Sequence, residues 1–255
     1  MPLPRLAPGV ELQRKYYTET APHYENMHNH EGADDPECRR FIVAILRSLQ
    51  VNSLLDIGSA TGRGLRELAT DLPEAFVCGV EPVAALLRQG RPASNGDSVS
   101  LLQGSGDALP FADASFDAVT EFATLHHVAN PPRVVQEMLR VARKAVVVAD
   151  SNRFGQGAFP IRLLKLFLCK TRLWKLYDFV RTRGKRYQIS EGDGLFYSYS
   201  VYDSYDLLAA WSDRLLIFPA GNCDARSSWF HPLLTAPGVI LIAIRDPRTT
   251  EPAHS

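Results

Sequence analysis

The sequence has little cysteine, no surplus of charge of either sign and no long apolar run. Its four cysteines, Cys38, Cys78, Cys169 and Cys223, show no metal-ligand spacing. No signal-peptide pattern precedes them, so reduced thiols in a cytoplasmic protein are expected, with buried packing as their role. Basic and acidic residues balance at 28 each. That removes any global pull toward nucleic acid or anionic membrane and leaves only local patches to consider. No uninterrupted apolar run reaches the roughly 18 residues of a membrane span. The dinucleotide fingerprint is also missing. Counted from Gly58, the later slots of G-x-G-x-x-G hold Ala60 and Arg63; counted from Gly62, the last slot holds Glu67. A nicotinamide-dependent dehydrogenase is disfavoured on that spacing. Internal repeats and low-complexity tracts are absent.

What is present is a chain of 255 residues, 45% of them hydrophobic, enough for one ordinary domain with some decoration. Apolar runs alternate with helical patterns up to residue 150. Helix signals cover 35–49, 62–70, 83–89 and 132–142, and strands are expected at 51–57, 75–81, 99–103, 116–122 and 144–150. Continuous apolar strands between helices indicate an α/β fold with a parallel sheet covered on both faces. After Asp150 the rhythm breaks into a basic, aromatic segment and a Gly/Tyr/Ser-rich stretch. A helix near 203–211 and strands near 214–218 and 238–244 follow, then a polar tail.

"SLLDIGSATGRGLREL" (53–68) places a glycine-rich turn between a strand and a helix. Such a turn brings backbone N–H groups close to a ligand, although glycine also serves as plain punctuation. Asp56 ends the first strand, and Glu81 ends the second, 25 residues later. A carboxylate at that second position can accept both hydroxyls of a ribose. "GSGDALPF" (104–111) sets Asp107 in a turn after the third strand. There an acid beside the Ala108 N–H can read the edge of an adenine. All these residues fall at the carboxyl ends of strands, where open parallel sheets bind ligands.

Taken in order, "LLDIGSATG", "GVEP" and "GDALPFADASFDAVTEFATLHHVANPPRVVQEMLRVARKAVVVAD" resemble the class I S-adenosylmethionine-dependent methyltransferases. Within them the chain is most similar to the small-molecule type that includes the ubiquinone/menaquinone C-methyltransferases. The resemblance covers residues 16–150. It implies a doubly wound, Rossmann-like seven-stranded sheet, mostly parallel with a C-terminal antiparallel hairpin, here with a helical insertion. It implies S-adenosyl-L-methionine as cofactor, with Asp56, Gly58, Ser59, Ala60 and Gly62 around its methionine part. Ala60 stands where many relatives have glycine. Glu81 would take the ribose hydroxyls, Pro82 would pack on the adenine, and Asp107 and Ala108 would bind it. Glu121 and Phe122 would face the methionine end. "YTETAPHYENM" (17–27) resembles the N-terminal lid, with Tyr17 and Tyr24 near the cofactor. The expected organisation is a lid at 1–35, a methyltransferase domain at 36–247 with an inserted segment at 151–200, and a flexible tail at 248–255. One departure is the loss of the Pro-Gly-Gly turn that usually follows the "LRVARK" helix.

Methyl transfer requires two reactants held in line, water excluded and, for some acceptors, a base. The candidate bases are His126, His127 and His23, each of which also reads as a packing or capping residue. Asp150 and Asn152 in "DSNRFGQG" lie on the expected substrate side, as do Tyr197, Tyr199 and Tyr202, with loop-turning and packing as the plainer readings. His28, His30 and Glu31 lack a further clear ligand, so no metal is expected.

"IRLLKLFLCKTRLWKLYDFVRTRGKR" (161–186) holds nine Lys/Arg and a single acid, Asp178. On one helical wheel Arg162, Lys165, Arg172 and Lys175 share a side, opposite large apolar residues. Three readings stand. The segment is a lid over the site, which an apolar helix face usually favours; it docks peripherally on a membrane surface; or it binds anionic substrate or RNA. No nucleic-acid module supports the last. The leading expectation is methylation of a small-molecule or lipid-like acceptor. The alternatives are a cofactor-binding regulatory or scaffold domain, and methylation of RNA or protein. Against the latter, "EFAT" stands where an Asn-Pro-Pro-Tyr-like tetrapeptide would be. Oligomeric state is left open by the sequence.

Overall fold

Apolar runs long enough to be buried on both faces set the centre of the molecule. The computed structural model describes residues 8–27, 36–90, 99–190, 192–221 and 231–246. Cys223, the His28/His30/Glu31 group and the tail lie outside them. In chain order the helices are α1 (Pro8–Thr20), α2 (Tyr24–Met27), α3 (Pro36–Ser48), α4 (Arg63–Asp71), α5 (Ala84–Gln89), α6 (Pro131–Val141), α7 (Phe159–Lys170), α8 (Trp174–Arg181), α9 (Tyr205–Trp211) and α10 (Pro232–Thr235). The strands are β1 (Ser53–Ile57), β2 (Phe76–Glu81), β3 (Val99–Gln103), β4 (Phe116–Phe122), β5 (Ala142–Ser151), β6 (Tyr187–Ser190), β7 (Gly194–Tyr197), β8 (Arg214–Ala220) and β9 (Gly238–Ile244).

Seven strands form one sheet in the order β3-β2-β1-β4-β5-β9-β8. The first five are parallel, and β9 is antiparallel to both β5 and β8. This is the doubly wound sheet with a C-terminal antiparallel hairpin that the family resemblance implies. β5 and β9 carry "AVVVA" and "GVILIAI", and every residue of β9 is buried. On one face α6 buries Val134, Val135, Met138 and Val141 against Val119, Val146 and Leu241. On the other, α3 and α4 bury Ile42, Leu46, Leu65 and Leu68 against Leu54, Val147 and Ile242. The missing Pro-Gly-Gly turn is replaced by direct entry, since α6 ends at Val141 and β5 begins at Ala142. Arg143 and Lys144 hold that junction by pairing with the buried carboxylate of Asp117, at 3.1 and 3.4 Å.

The segment after β5 differs from the expectation of one amphipathic helix. It forms α7 and α8, broken at Arg172, whose φ is +61°. The Thr171 hydroxyl bonds back to the carbonyls of Phe167 and Leu168, which offers the last turn of α7 an alternative to continuing. The expected lid packing is not seen either. α7 has no buried residue; most of its large apolar side chains and Leu176, Phe179 and Val180 of α8 are exposed, while Leu166, Leu168 and Trp174 are half-buried. Phe167 is 61% exposed and Val180 68%. The stretch that reads only as Gly/Tyr/Ser-rich is the antiparallel hairpin β6–β7.

Candidate functional site

The glycine turn after β1 is built by close approach. Gly58 has φ +77°, and a Cβ there would lie 2.3 Å from the Thr124 hydroxyl. The turn after β1 therefore packs directly on the turn after β4. The backbone N–H groups of Gly58 and Ser59 both donate to the Val80 carbonyl, and Gly62 N–H donates to the Ser59 carbonyl. The turn is thus held by its own hydrogen bonds, which corrects the picture of a row of bare donors. Ala60 takes φ +50°, a left-handed conformation suited to the glycine usual there. Asp56, at the end of β1, is buried and accepts a hydrogen bond from the Thr120 hydroxyl at 2.8 Å. The Ser59 hydroxyl is buried with no hydrogen-bond partner among the described residues.

Glu81 ends β2 beside this turn. It is buried, and its two carboxylate oxygens accept from Ala60 N–H at 3.1 Å and Val83 N–H at 2.8 Å. Burial pushes its pKa up to about 7, against the pull of those two N–H groups and of Arg14. Each oxygen keeps a further lone pair for a hydroxyl donor. Pro82 is half-buried next to it. Asp107 is exposed, and its turn is fixed from α6. Arg133 donates to the Asp107 carbonyl at 3.1 Å, the Glu137 carboxylate accepts from Leu109 N–H at 2.9 Å, and Arg140 donates to the carbonyls of Leu109 and Phe111. Sequence reasoning missed Glu137 and Arg140, which read as the polar side of an amphipathic helix. The Ala108 N–H donates to the Ser105 carbonyl, so the free donor expected there is used within the turn.

Glu121 does not stand open at the end of β4. It is fully buried, accepts from Thr124 N–H at 3.1 Å, and keeps Oε1 without a partner among the described residues. Burial and the neighbouring Asp150 raise its pKa well above the carboxylate range. Phe122 packs on the α3/α4 side of the core.

The turn after β4 brings together residues that are distant in sequence. His126 and His127 lie on a single 3-10 turn with ring centroids 4.0 Å apart. The His126 Nδ1 meets Asp150 Oδ1 at 2.7 Å, and the His127 Nδ1 donates to the Leu195 carbonyl at 2.6 Å. The Nε2 atoms of both rings turn toward Asp193, at 3.5 and 3.2 Å. The Tyr17 hydroxyl reaches the His127 Nε2 at 3.1 Å. Burial works against a charged His126, but Asp150 and Asp193 outweigh it and raise its pKa to about 10. Burial likewise opposes ionisation of Asp150, yet His126 holds its pKa below the ordinary value. Asp193, in the turn between β6 and β7, carries no motif that marks it in the sequence.

The N-terminal segment ties these parts together. Tyr17 and Tyr24 pack with Ala60, Val83 and Leu86. Glu25 accepts from the Thr61 hydroxyl and from Arg63. Gln13 accepts from Leu195 N–H at 2.6 Å. His23 is exposed on this segment and lies apart from the histidine pair. Two candidate substrate contacts are instead internal. Asn152 is fully buried, with its amide donating to the carbonyls of Leu233 and Ala236 and its oxygen accepting from Phe154 N–H. Tyr199 is buried, and its hydroxyl pairs with Ser204 at 2.7 Å. Tyr202 bonds the Leu233 carbonyl. Tyr197 packs edge-on to Tyr187 and stays half-buried. In the same "SNRF" run Arg153 fastens the insertion, donating to Asp203 and the Ser198 carbonyl and lying 4.8 Å over the Trp174 ring.

Residues 55–149 match the Methyltransf_11 family, described as a methyltransferase domain. The chain is 33% identical over 141 residues to a demethylmenaquinone methyltransferase of Roseiflexus sp. (strain RS-1), covering 55% of this chain and 59% of that one. It thus spans about three fifths of that relative's length. Its fold is similar to that of a magnesium protoporphyrin IX methyltransferase from Synechocystis PCC 6803, solved with bound SAH, with a TM-score of 0.58, 14% identity, and 93% and 100% of the two chains covered. A 4+2 cyclase, SpnF, also has a TM-score of 0.58 at 15% identity, covering 94% and 97% of the two chains. Neighbours as different as these share the fold, so the likeness in fold does not by itself assign a reaction.

Proposed function

We propose that this chain, whose residues 55–149 match a methyltransferase domain and resemble the quinone-biosynthesis methyltransferases of class I, moves a methyl group from S-adenosylmethionine to a small, lipid-like acceptor of the quinone type. The observation that carries the reading is Glu81. A carboxylate buried at a strand end, held by N–H groups from the glycine turn and from the start of α5, needs hydroxyl donors to complete its shell. A ribose diol meets that need. Asp107 offers an exposed carboxylate for the amine of an adenine.

When bound, S-adenosylmethionine supplies a methyl group on a positively charged sulfur. The protein's part is to orient and to exclude water. Tyr17 and Tyr24 lie over the glycine turn, and the Glu25 contacts to Thr61 and Arg63 fasten the lid there. The proton of a hydroxyl acceptor would be taken at His127. Because the Leu195 carbonyl can only accept, His127 carries its proton on Nδ1 in the neutral form and presents Nε2 as the basic atom. Asp150 and Asp193 instead hold His126 protonated, so that ring positions and stabilises charge beside His127 and does not take the proton itself.

The acceptor's class is supported by a second observation. Ile161, Leu164, Phe167, Leu176, Phe179 and Val180 are exposed on α7 and α8 among the nine Lys/Arg of 161–186. Large apolar side chains ringed by cations suit the interface of an anionic lipid bilayer. No helix of the described residues is long and apolar enough to cross a membrane. The proposal is therefore peripheral contact, through which a lipid-like acceptor is met.

Calorimetry tests the cofactor. S-adenosylhomocysteine is expected to bind the purified protein, and Glu81→Ala and Asp107→Ala to weaken it at least about tenfold, roughly 1.4 kcal/mol each. Transfer of labelled methyl groups to hydroquinones and phenols then tests the activity. Absence of cofactor binding to the folded protein would sink the reading. For the surface, sedimentation with phosphatidylglycerol vesicles but not phosphatidylcholine vesicles is expected, with loss in Phe167→Asp. Equal sedimentation with both would remove the electrostatic part of the proposal.

A further inference from the structure

We propose that His126, His127 and Asp193 form a binding site for one divalent transition-metal ion. One ligand atom from each lies within 4.8 Å of the others. The shape of the cluster, not its composition alone, points to a cation. Neighbouring residues on a helical turn usually diverge, yet these two rings sit side by side, tilted 48° to each other. Each ring is anchored through Nδ1, one by the buried Asp150 carboxylate and the other by the Leu195 carbonyl. Anchoring at Nδ1 fixes the direction of Nε2, the arrangement that supports histidine ligands in metal centres, and an ion bound there would displace the Nε2 proton of His126 to solvent. Both Nε2 atoms converge on Asp193, whose two oxygens lie 3.5 and 3.2 Å away. Those separations are close to the spacing of adjacent ligands around an ion with bonds of roughly 2.1 Å.

Two imidazoles and one carboxylate suit zinc, iron or cobalt better than magnesium or calcium, which prefer oxygen. Three protein ligands leave coordination positions open. The Tyr17 hydroxyl, 3.1 Å from the His127 Nε2, marks one side of the cluster. The ligands come from separate parts of the chain, the turn after β4 and the β6–β7 turn, so an ion would also tie the insertion to the sheet. With an ion bound, the metal and not His127 Nε2 would ease the proton from an acceptor oxygen; that such an oxygen would occupy an open position rests on the methyltransferase reading. The site itself does not.

The test is titration of the chelator-treated full chain with Co²⁺, followed by calorimetry and by the visible absorption of the bound ion. One equivalent is expected to bind at micromolar affinity or tighter. His127→Ala and Asp193→Asn are each expected to weaken it at least tenfold, and Mg²⁺ not to compete. Asp193→Asn keeps the size of the side chain and so remains decisive if His127→Ala folds poorly. S-adenosylhomocysteine is titrated into the same samples. If the wild type binds S-adenosylhomocysteine but not Co²⁺, or if Asp193→Asn binds Co²⁺ as the wild type does, the metal site is overturned while the methyltransferase reading stands. If Co²⁺ binds as expected and S-adenosylhomocysteine does not, the site is upheld and that reading fails.

Discussion

The turns that follow β1 and β2 close over short stretches of chain, whereas the histidine cluster is assembled across most of its length. Glu81 is bonded to residues 2 and 21 positions away. His127 is bonded to residues 68 and 110 positions away, and Gln13 reaches 182 residues to Leu195. The first region is mostly local: one strand end and one helix start set Glu81, while the turn also packs on Thr124 and is bridged by Glu25. The second depends on the insertion, the lid and the sheet being in register together. A local design tolerates change elsewhere; a composite one does not.

The largest expected effect separates the two. Glu81→Ala should lower S-adenosylhomocysteine affinity by about a hundredfold, roughly 2.7 kcal/mol, with the Co²⁺ titration unchanged. Loss of both would mean that the regions are one unit. Gly194→Val attacks the other side. Gly194 has φ +69°, and a Cβ would lie 2.6 Å from the Tyr16 ring. The substitution should cost about 2 kcal/mol in denaturant stability and displace Asp193, lowering turnover more than S-adenosylhomocysteine affinity.

The pH response sharpens the contrast further. Burial raises Glu81 in the free protein to about 7, so it binds a proton that the unfolded chain releases at lower pH. Its contribution to stability is therefore fully present below the unfolded value of 4.5 and is lost as pH rises through about 7. A ligand that donates hydroxyls to the carboxylate favours the opposite form. S-adenosylhomocysteine affinity should rise toward pH 7, by up to about tenfold per unit, and level off above it. A flat profile in calorimetry would exclude Glu81 as the diol acceptor. The smallest effect is at Ala60. Relieving its φ of +50° by Ala60→Gly should stabilise the protein by about 1 kcal/mol in thermal or denaturant unfolding.

The same contrast explains what was legible in the sequence. The expected strands fall within two residues of β1–β5 at most ends, because continuous apolar runs are bounded by charged or glycine-containing turns. Asp56, Gly58 and Glu81 stand in motifs whose spacing follows from those strands. Asp193 does not, since nothing near it in sequence tells that its hairpin returns to the histidine pair. Nor does the pattern of 161–186 say whether its apolar side faces in or out; both produce the same wheel. Asn152 and Tyr199 read as substrate contacts from their place in the chain, but their polar atoms are consumed by backbone and hydroxyl partners.

The N-terminal segment touches both regions, through Glu25 at the glycine turn and through Gln13 and Tyr17 at the hairpin and histidine pair. That arrangement has a consequence in time. On the methyltransferase reading, a ligand seated beneath the segment would leave only after contacts at both ends had let go. Occupancy on the acceptor side should thus slow the departure of the cofactor product, and the two substrates should add in a fixed order, with the nucleoside entering first and leaving last. Product-inhibition patterns would show that order directly.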